Sequence, residues 1–304
     1  MVLRGHCYRV GMHEDRVMIA RGLLGAADVA SGPTTEQHRV IQSLASGYLG
    51  LDGAILDLDP CTPVELAATV DEASRHRVVD LLILVEFCRH PSHPAQADQV
   101  EAYVDALGGE DLALVARDIQ TGHRDQVMAD WARFGEGTTR IHGVSDDALG
   151  SELRSLGDCA PGTLGRGLFD FYADLGVPFP GEPGGGAATL AYHDVTHVLT
   201  GYGTTPPDEV ALQAVLTAAA GFDHHFSGLV ASLALFESAA FELPGFTAKE
   251  GVLNRPGAAD ELADAFRRGE ACSGDISTVD FLARKDDQLA DIQAEYGMVP
   301  PNKT

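Results

Sequence analysis

The sequence predicts an all-α protein of two helical domains, and three observations carry that expectation. Apolar residues recur at helical spacing in segment after segment, and no run alternates with the period of two that a half-buried strand requires. Threonine caps open these segments, and glycine or proline closes them. The chain has 304 residues, 45% of them hydrophobic and 22% charged, which is globular composition and enough length for two cores.

After a short N-terminal piece, "SGPTTEQHRVIQSLASGYLG" shows a threonine cap and an apolar period suited to a helix from about Glu36. "TPVELAATV" repeats the signal, with Thr62 as cap, Pro63 at the first helical position and Glu65 three residues on. "EASRHRVVDLLILVEFCRH" is the most apolar helix of this half and stops at "HPSHP", where two prolines forbid continuation. "PAQADQVEAYVDALG" is amphipathic and closed by Gly108, and "DLALVARDIQTGHRDQVMADWARF" supplies one or two further helices. Leu81, Leu82, Leu84, Val85, Phe87, Val104, Leu107 and Trp131 are the expected core of this bundle.

"GEGTTRIHGVSDDALGSEL" has no sustained period, so the domain boundary is placed near residue 140, giving domains 1–140 and 141–304. In the second half "GRGLFDFYADLG" is a helix whose Phe169, Phe171 and Tyr172 read as core, and "PGEPGGG" is a loop. A histidine-bearing helix follows, then one from about Asp208 to Ala220, capped by Asp208, and the apolar "HHFSGLVASLALFESAAF". "AADELADAFRRGEACSGD" and "STVDFLARKDDQLADIQAEYG" read as closing helices, the last stopped by Gly297 and Pro300.

With 21 basic against 45 acidic residues the net charge is −24. Such a surface repels polyphosphate backbones and anionic lipid headgroups, so nucleic acid and a polybasic membrane anchor are not expected partners. The five cysteines (Cys7, Cys61, Cys88, Cys159 and Cys272) are scattered and never spaced as CxxC, which suits free thiols in a reducing compartment. No segment reaches the roughly eighteen uninterrupted apolar residues of a membrane span. Arg4, Arg9, Arg16 and Arg21 are interrupted by Glu14 and Asp15 without serine enrichment, which argues against a transit peptide. The expected location is cytoplasmic, and arginine greatly outnumbers lysine (Lys249, Lys285 and Lys303 only), in keeping with a GC-rich bacterial genome.

The chemistry-bearing stretch is "AYHDVTHVLTGYGTTPPDEVAL". His193 and His197 are four residues apart, so on a helix they share one face a single turn apart and can reach one ion. Asp194 can be a further ligand or an acceptor that orients an imidazole. The break at Gly201, Gly203, Pro206 and Pro207 lets the chain turn, so that Glu209, in the first turn of the next helix, can be aimed back at the histidines. Two imidazoles and one or two carboxylates suit Zn²⁺ with an open position and also suit ferrous iron. Ordinary polar residues give the same pattern, because such pairs arise by chance and acidic residues favour a first helical turn. A HExxH zinc protease needs glutamate where Asp194 stands. An HD-type phosphohydrolase would have to recruit His142 and Asp223. His224 and His225 read as a capped helix start after Gly221 and Asp223.

HDxxH followed by eleven residues and Glu, present as "HDVTHVLTGYGTTPPDE", resembles the Coq4 family of ubiquinone-biosynthesis proteins. "APGTLGRGLFDFYADLGV", "AFRRGEAC" and "DFLARKDDQLADIQAEYGM" are similar to other segments of that family, so the resemblance covers roughly residues 150–300. It implies a divalent ion, usually zinc, on His193, Asp194, His197 and Glu209. It further implies oxidative decarboxylation of a polyprenylated hydroxybenzoate, with hydroxyl replacing carboxylate, and binding of a prenyl lipid. "FSGLVASLALFESAAF" would then line a tunnel for the isoprenoid tail, or serve as an ordinary buried helix. The first half is distantly similar to a TerB-type helical domain, which implies an interaction or dimerisation module. The functional expectation is a zinc- or iron-dependent enzyme acting on an aromatic, optionally prenylated acid, in a homo-oligomer or biosynthetic complex that admits peripheral membrane contact. The alternatives are a non-catalytic prenyl-lipid-binding scaffold and an HD-type phosphohydrolase.

Overall fold

The computed structural model describes residues 13–109, 112–123, 147–186, 190–220, 222–240, 247–299 and 301. In chain order the α-helices among them are α1 (His13–Ala27), α2 (Thr35–Ser43), α3 (Pro63–Thr69), α4 (Glu72–Phe87), α5 (Pro94–Leu107), α6 (Leu112–Thr121), α7 (Asp147–Ser155), α8 (Leu164–Leu175), α9 (Leu190–Thr200), α10 (Pro206–Ala220), α11 (Phe222–Phe236), α12 (Ala258–Ala271) and α13 (Leu289–Tyr296). The described residues contain no strand, only two isolated bridges, Thr163–Gln288 and Ser238–Glu250, so the protein is all-α. Trp131 and His142 lie outside the described residues, as do the side chains of Asp223 and His224.

The chain forms two compact units, and each is discontinuous in sequence. The larger takes its described residues from His6–Glu136 and Thr205–Glu270. Its axis is α4, in which every residue from Val78 to Phe87 is buried, as befits a helix that is apolar nearly all round. Helices α1, α2, α5, α6 and α11 pack on it, and Leu81, Leu82, Leu84, Val85, Phe87, Val104 and Leu107 are all in the core. Helix α11 turns its apolar residues inward, with Leu229, Val230, Leu233 and Ala234 buried, and packs against α10 and α4 as a bundle helix does. The caps follow local chemistry. Thr62 Oγ1 accepts from the Glu65 amide at 3.3 Å while the Glu65 carboxylate accepts from the Thr62 amide at 2.7 Å. That exchange holds the Glu65 carboxyl below the usual glutamate range, the backbone hydrogen bond being the larger cause.

The first helix falls where the sequence reading left only a short N-terminal piece. Its apolar positions are broken by Glu14, Asp15, Arg16 and Arg21, which masks the buried face of Ile19, Ala20, Leu23 and Leu24. Gly22 and Gly25, poor helix formers in isolation, sit where a Cβ would meet the Leu66 side chain and the Tyr103 hydroxyl, so close packing selects them. The cap of α10 also differs from expectation. Thr205 Oγ1 accepts from the Asp208 amide at 3.4 Å and donates to Asp208 Oδ2 at 2.6 Å, which makes Thr205 the cap and moves Asp208 inside the first turn. The α helix expected across residues 277–296 is confined to α13. Asp275 caps only a short 3₁₀ turn (Ile276–Thr278), and residues 285–289 are drawn instead into backbone pairing with residues 162–165.

The smaller unit takes its described residues from Gly137–Thr204 and Ala271–Asn302. Helix α9 lies at its centre, against α8, α13 and the 3₁₀ turn Ile276–Thr278. The Gln293 amide donates to the Leu199 carbonyl at 2.9 Å, and Tyr192 meets Phe281 edge to face at 5.3 Å.

Candidate metal centre

Helix α8 is fixed at its start. Thr163 Oγ1 accepts from the Arg166 amide at 3.3 Å, while the Leu164 and Gly165 amides donate to the carbonyls of Asp287 and Lys285 at 2.9 and 2.8 Å. Gly165 allows this, since a Cβ there would stand 2.9 Å from the Lys285 carbonyl oxygen. Two residues on, a Cβ at Gly167 would be 3.0 Å from the Val198 side chain, so glycine sets the close approach of α8 to α9. The helix ends in a left-handed Gly176.

That approach brings α8 side chains onto the histidine helix. His193 and His197 lie one turn apart on α9, their Nε2 atoms 3.1 Å from each other and their rings nearly perpendicular at 88°. His197 is 2% exposed and stacks on Phe171 of α8, with centroids 5.4 Å apart and an interplanar angle of 19°. At 3.1 Å at least one of the two Nε2 atoms carries no proton, so a lone pair faces the gap between the rings. Two imidazole nitrogens this close on adjacent turns are of the kind that would hold one divalent ion between them. A hydrogen bond between two neutral rings has the same length. The donors therefore fit zinc or ferrous iron.

Asp194 is engaged by α8. Its Oδ2 accepts a 2.8 Å hydrogen bond from the hydroxyl of Tyr172, which is 2% exposed. Burial first, then the adjacent Asp194 carboxylate, push the Tyr172 phenol far above its ordinary range, so it acts as a donor. Phe179 packs on Tyr172 at 4.9 Å and on Phe169 at 5.6 Å, while the Arg154 guanidinium lies 4.7 Å over the Phe179 ring. Sequence reasoning assigned Phe171 and Tyr172 to the core. Their contacts with His197 and Asp194 span 26 and 22 residues, and no spacing in the sequence announces them.

Glu209 stands half-buried in the first turn of α10, in the larger unit. His225 lies within α11, where its carbonyl accepts from Thr217 Oγ1 at 3.1 Å, a packing contact of the α10–α11 hairpin.

The fold and site thus define an all-helical protein with a convergent histidine pair on a helix held by aromatic residues of its neighbour. No family model matches the chain, and no curated protein matches it. A solved structure from Nostoc punctiforme PCC 73102, described as a "Putative ubiquinone biosynthesis protein", is similar at 15% identity and a TM-score of 0.35, covering 74% of this chain and 98% of that one.

Proposed function

We propose that the chain is a metal-dependent enzyme in which His193, His197 and Glu209 hold one divalent cation, zinc or ferrous iron, and that it acts on an aromatic, optionally prenylated acid. The observation that carries this reading is the approach of the two imidazole Nε2 atoms to 3.1 Å on adjacent turns of α9. The three residues each offer one ligand atom, two neutral nitrogens and a carboxylate oxygen, a set that suits a catalytic ion with a position left open. The aromatic acid and the quinone-biosynthesis setting rest on the resemblance of "HDVTHVLTGYGTTPPDE" and its neighbouring segments to the Coq4 family.

A bound divalent ion would hold the substrate carboxylate or phenolate and supply positive charge against the negative charge that develops on the ring as CO₂ leaves. The remaining work falls to side chains. Phe171 keeps the His197 ring in place by stacking and gives that side of the site an apolar wall. Tyr172, kept protonated by burial, donates to Asp194. Hydroxylation accompanying decarboxylation requires oxygen as oxidant, which redox-inert zinc does not activate by electron transfer.

The test is elemental analysis of protein purified without added metal, with His197→Ala and Glu209→Ala beside it, followed by a panel of hydroxybenzoates with and without prenyl substituents. One ion per chain, lost in both variants, together with metal-dependent CO₂ release from one member, is the expected result. Absence of an ion after reconstitution with zinc and anaerobic iron would refute the reading.

A further inference from the structure

Consecutive residues of one helix hold the histidine helix at two points. Phe171 lies against His197, and Tyr172 donates to Asp194. On an α-helix Asp194 stands about 100° from His193 and about 60° from His197, so helix phase alone leaves it beside the histidine face, and the contact it makes decides its task. Asp194 is turned toward α8, where one carboxylate oxygen accepts a hydrogen bond from a nearly fully buried phenol. A buried hydroxyl that loses its acceptor keeps an unmet donor, so this hydrogen bond fixes the rotation of α9 against α8. The neighbouring interactions act in the same direction, through the close approach at Gly167 and the stack of Phe171 on the imidazole.

We infer that Asp194 is a positioning residue outside the ligand set, and that it works together with Tyr172 to orient the His193–His197 face. The inference rests on the metal reading above. It assigns the two carboxylates of the HDxxH…E stretch different tasks: Glu209 binds the ion, and Asp194 sets the angle at which the imidazoles meet it. Groups that orient metal-bound histidines from outside the ligand set tune affinity by about 10–100-fold without changing ligand number.

The experiment uses the full-length chain, stripped by chelation and titrated with Co²⁺, whose visible absorption reports coordination number. Wild type is compared with Asp194→Ala, Asp194→Asn, Tyr172→Phe, the Asp194→Ala/Tyr172→Phe double variant, and His197→Ala. Asp194→Ala and Tyr172→Phe are expected to bind one Co²⁺ with the wild-type spectrum but about 10–100-fold more weakly. Asp194→Asn should recover part of that loss, because its amide oxygen still accepts from Tyr172. The double variant should be no weaker than Asp194→Ala, because both changes remove the same hydrogen bond.

The inference is overturned if Asp194→Ala loses the ion as completely as His197→Ala, if its spectrum reports a changed ligand number, or if Tyr172→Phe binds with wild-type affinity. Should Asp194→Ala not fold by far-ultraviolet circular dichroism, Asp194→Asn and Tyr172→Phe decide the matter alone. Wild-type protein that binds neither Co²⁺ nor Zn²⁺ refutes the metal reading itself, an outcome distinct from ion loss confined to the Asp194 variants.

Discussion

Removing the imidazole of His90 is expected to loosen the segment from Lys249 to Leu253 in acid solution and much less in alkaline solution. Glu237, fully buried just after α11, ties three parts of the larger unit together. Its Oε1 lies 3.0 Å from His90 Nε2, its Oε2 accepts from the Leu253 amide at 2.8 Å, and its carbonyl accepts from the Gly251 amide at 2.9 Å. The segment is further held by Arg39, which donates to the Leu253 carbonyl and to Asn254. Burial alone would lower the His90 pKa; Glu237 first, then Glu36 and Glu250, reverse this and leave it above its ordinary 6.5. Cys88, which also lies near Glu237 and Glu36, is held protonated by burial. A group whose pKa rises on folding stabilises the fold fully below its unfolded value, and that stability is lost as pH climbs through the folded value.

Breaking a fully buried ion pair costs about 3–5 kcal/mol, and the imidazole is 21% exposed, so about 2–3 kcal/mol is expected for His90→Ala at pH 5.5. Hydrogen exchange followed by mass spectrometry on the peptide containing Leu253 should then show protection reduced by about 30–150-fold at pH 5.5, with a much smaller difference at pH 9. Equal loss at both pH values, or a Glu237→Gln/His90→Ala double variant that adds the two single effects without coupling, would refute the reasoning.

Three further predictions concern other parts of the molecule. Glu86 is buried in α4, its Oε1 without a hydrogen-bond partner among the described residues, and burial pushes its carboxyl well above its ordinary 4.5. That raised pKa means stability is lost as pH rises from about the ordinary glutamate value. Glu86→Gln should therefore raise the urea midpoint, more at pH 8 than at pH 5; an equal or negative change would count against this. Thr62→Ala removes the side-chain half of a capping box and should cost about 1 kcal/mol in urea denaturation, with Thr62→Ser recovering most of it. Gly167→Val drives a branched side chain into Val198 and should weaken Co²⁺ binding while leaving helix content unchanged; wild-type affinity would show that α8 does not set the imidazole geometry.

Much of the helical pattern was legible because caps and stops act within a few residues. Thr62, Pro63 and Glu65 fix the start of α3, and Gly108, with a positive φ of 75°, fixes the end of α5. The His193–His197 face was legible for the same reason, since a four-residue spacing on a helix determines which side chains are neighbours. Where apolar periodicity was interrupted, as in α1, or where a polar run paired with a distant backbone, as at residues 285–289, the same local rules failed. The partners of the site were hidden too. Phe171 and Tyr172 look like any aromatic pair in an amphipathic helix until the glycine at 167 allows α8 to reach α9.

By itself, then, the sequence determined the all-α class, the positions of most caps and breaks, and the shared face of two histidines, because each depends on interactions within about one helical turn. Only the tertiary structure decided that residues 205–270 share a core with the N-terminal helices, that α4 is the axis of that core, and that Asp194 turns toward Tyr172. Those outcomes depend on which apolar faces fit one another across long stretches of chain. Amphipathic helices of similar composition offer many nearly equivalent pairings, and close packing at particular glycines, together with the satisfaction of buried polar groups, selects among them.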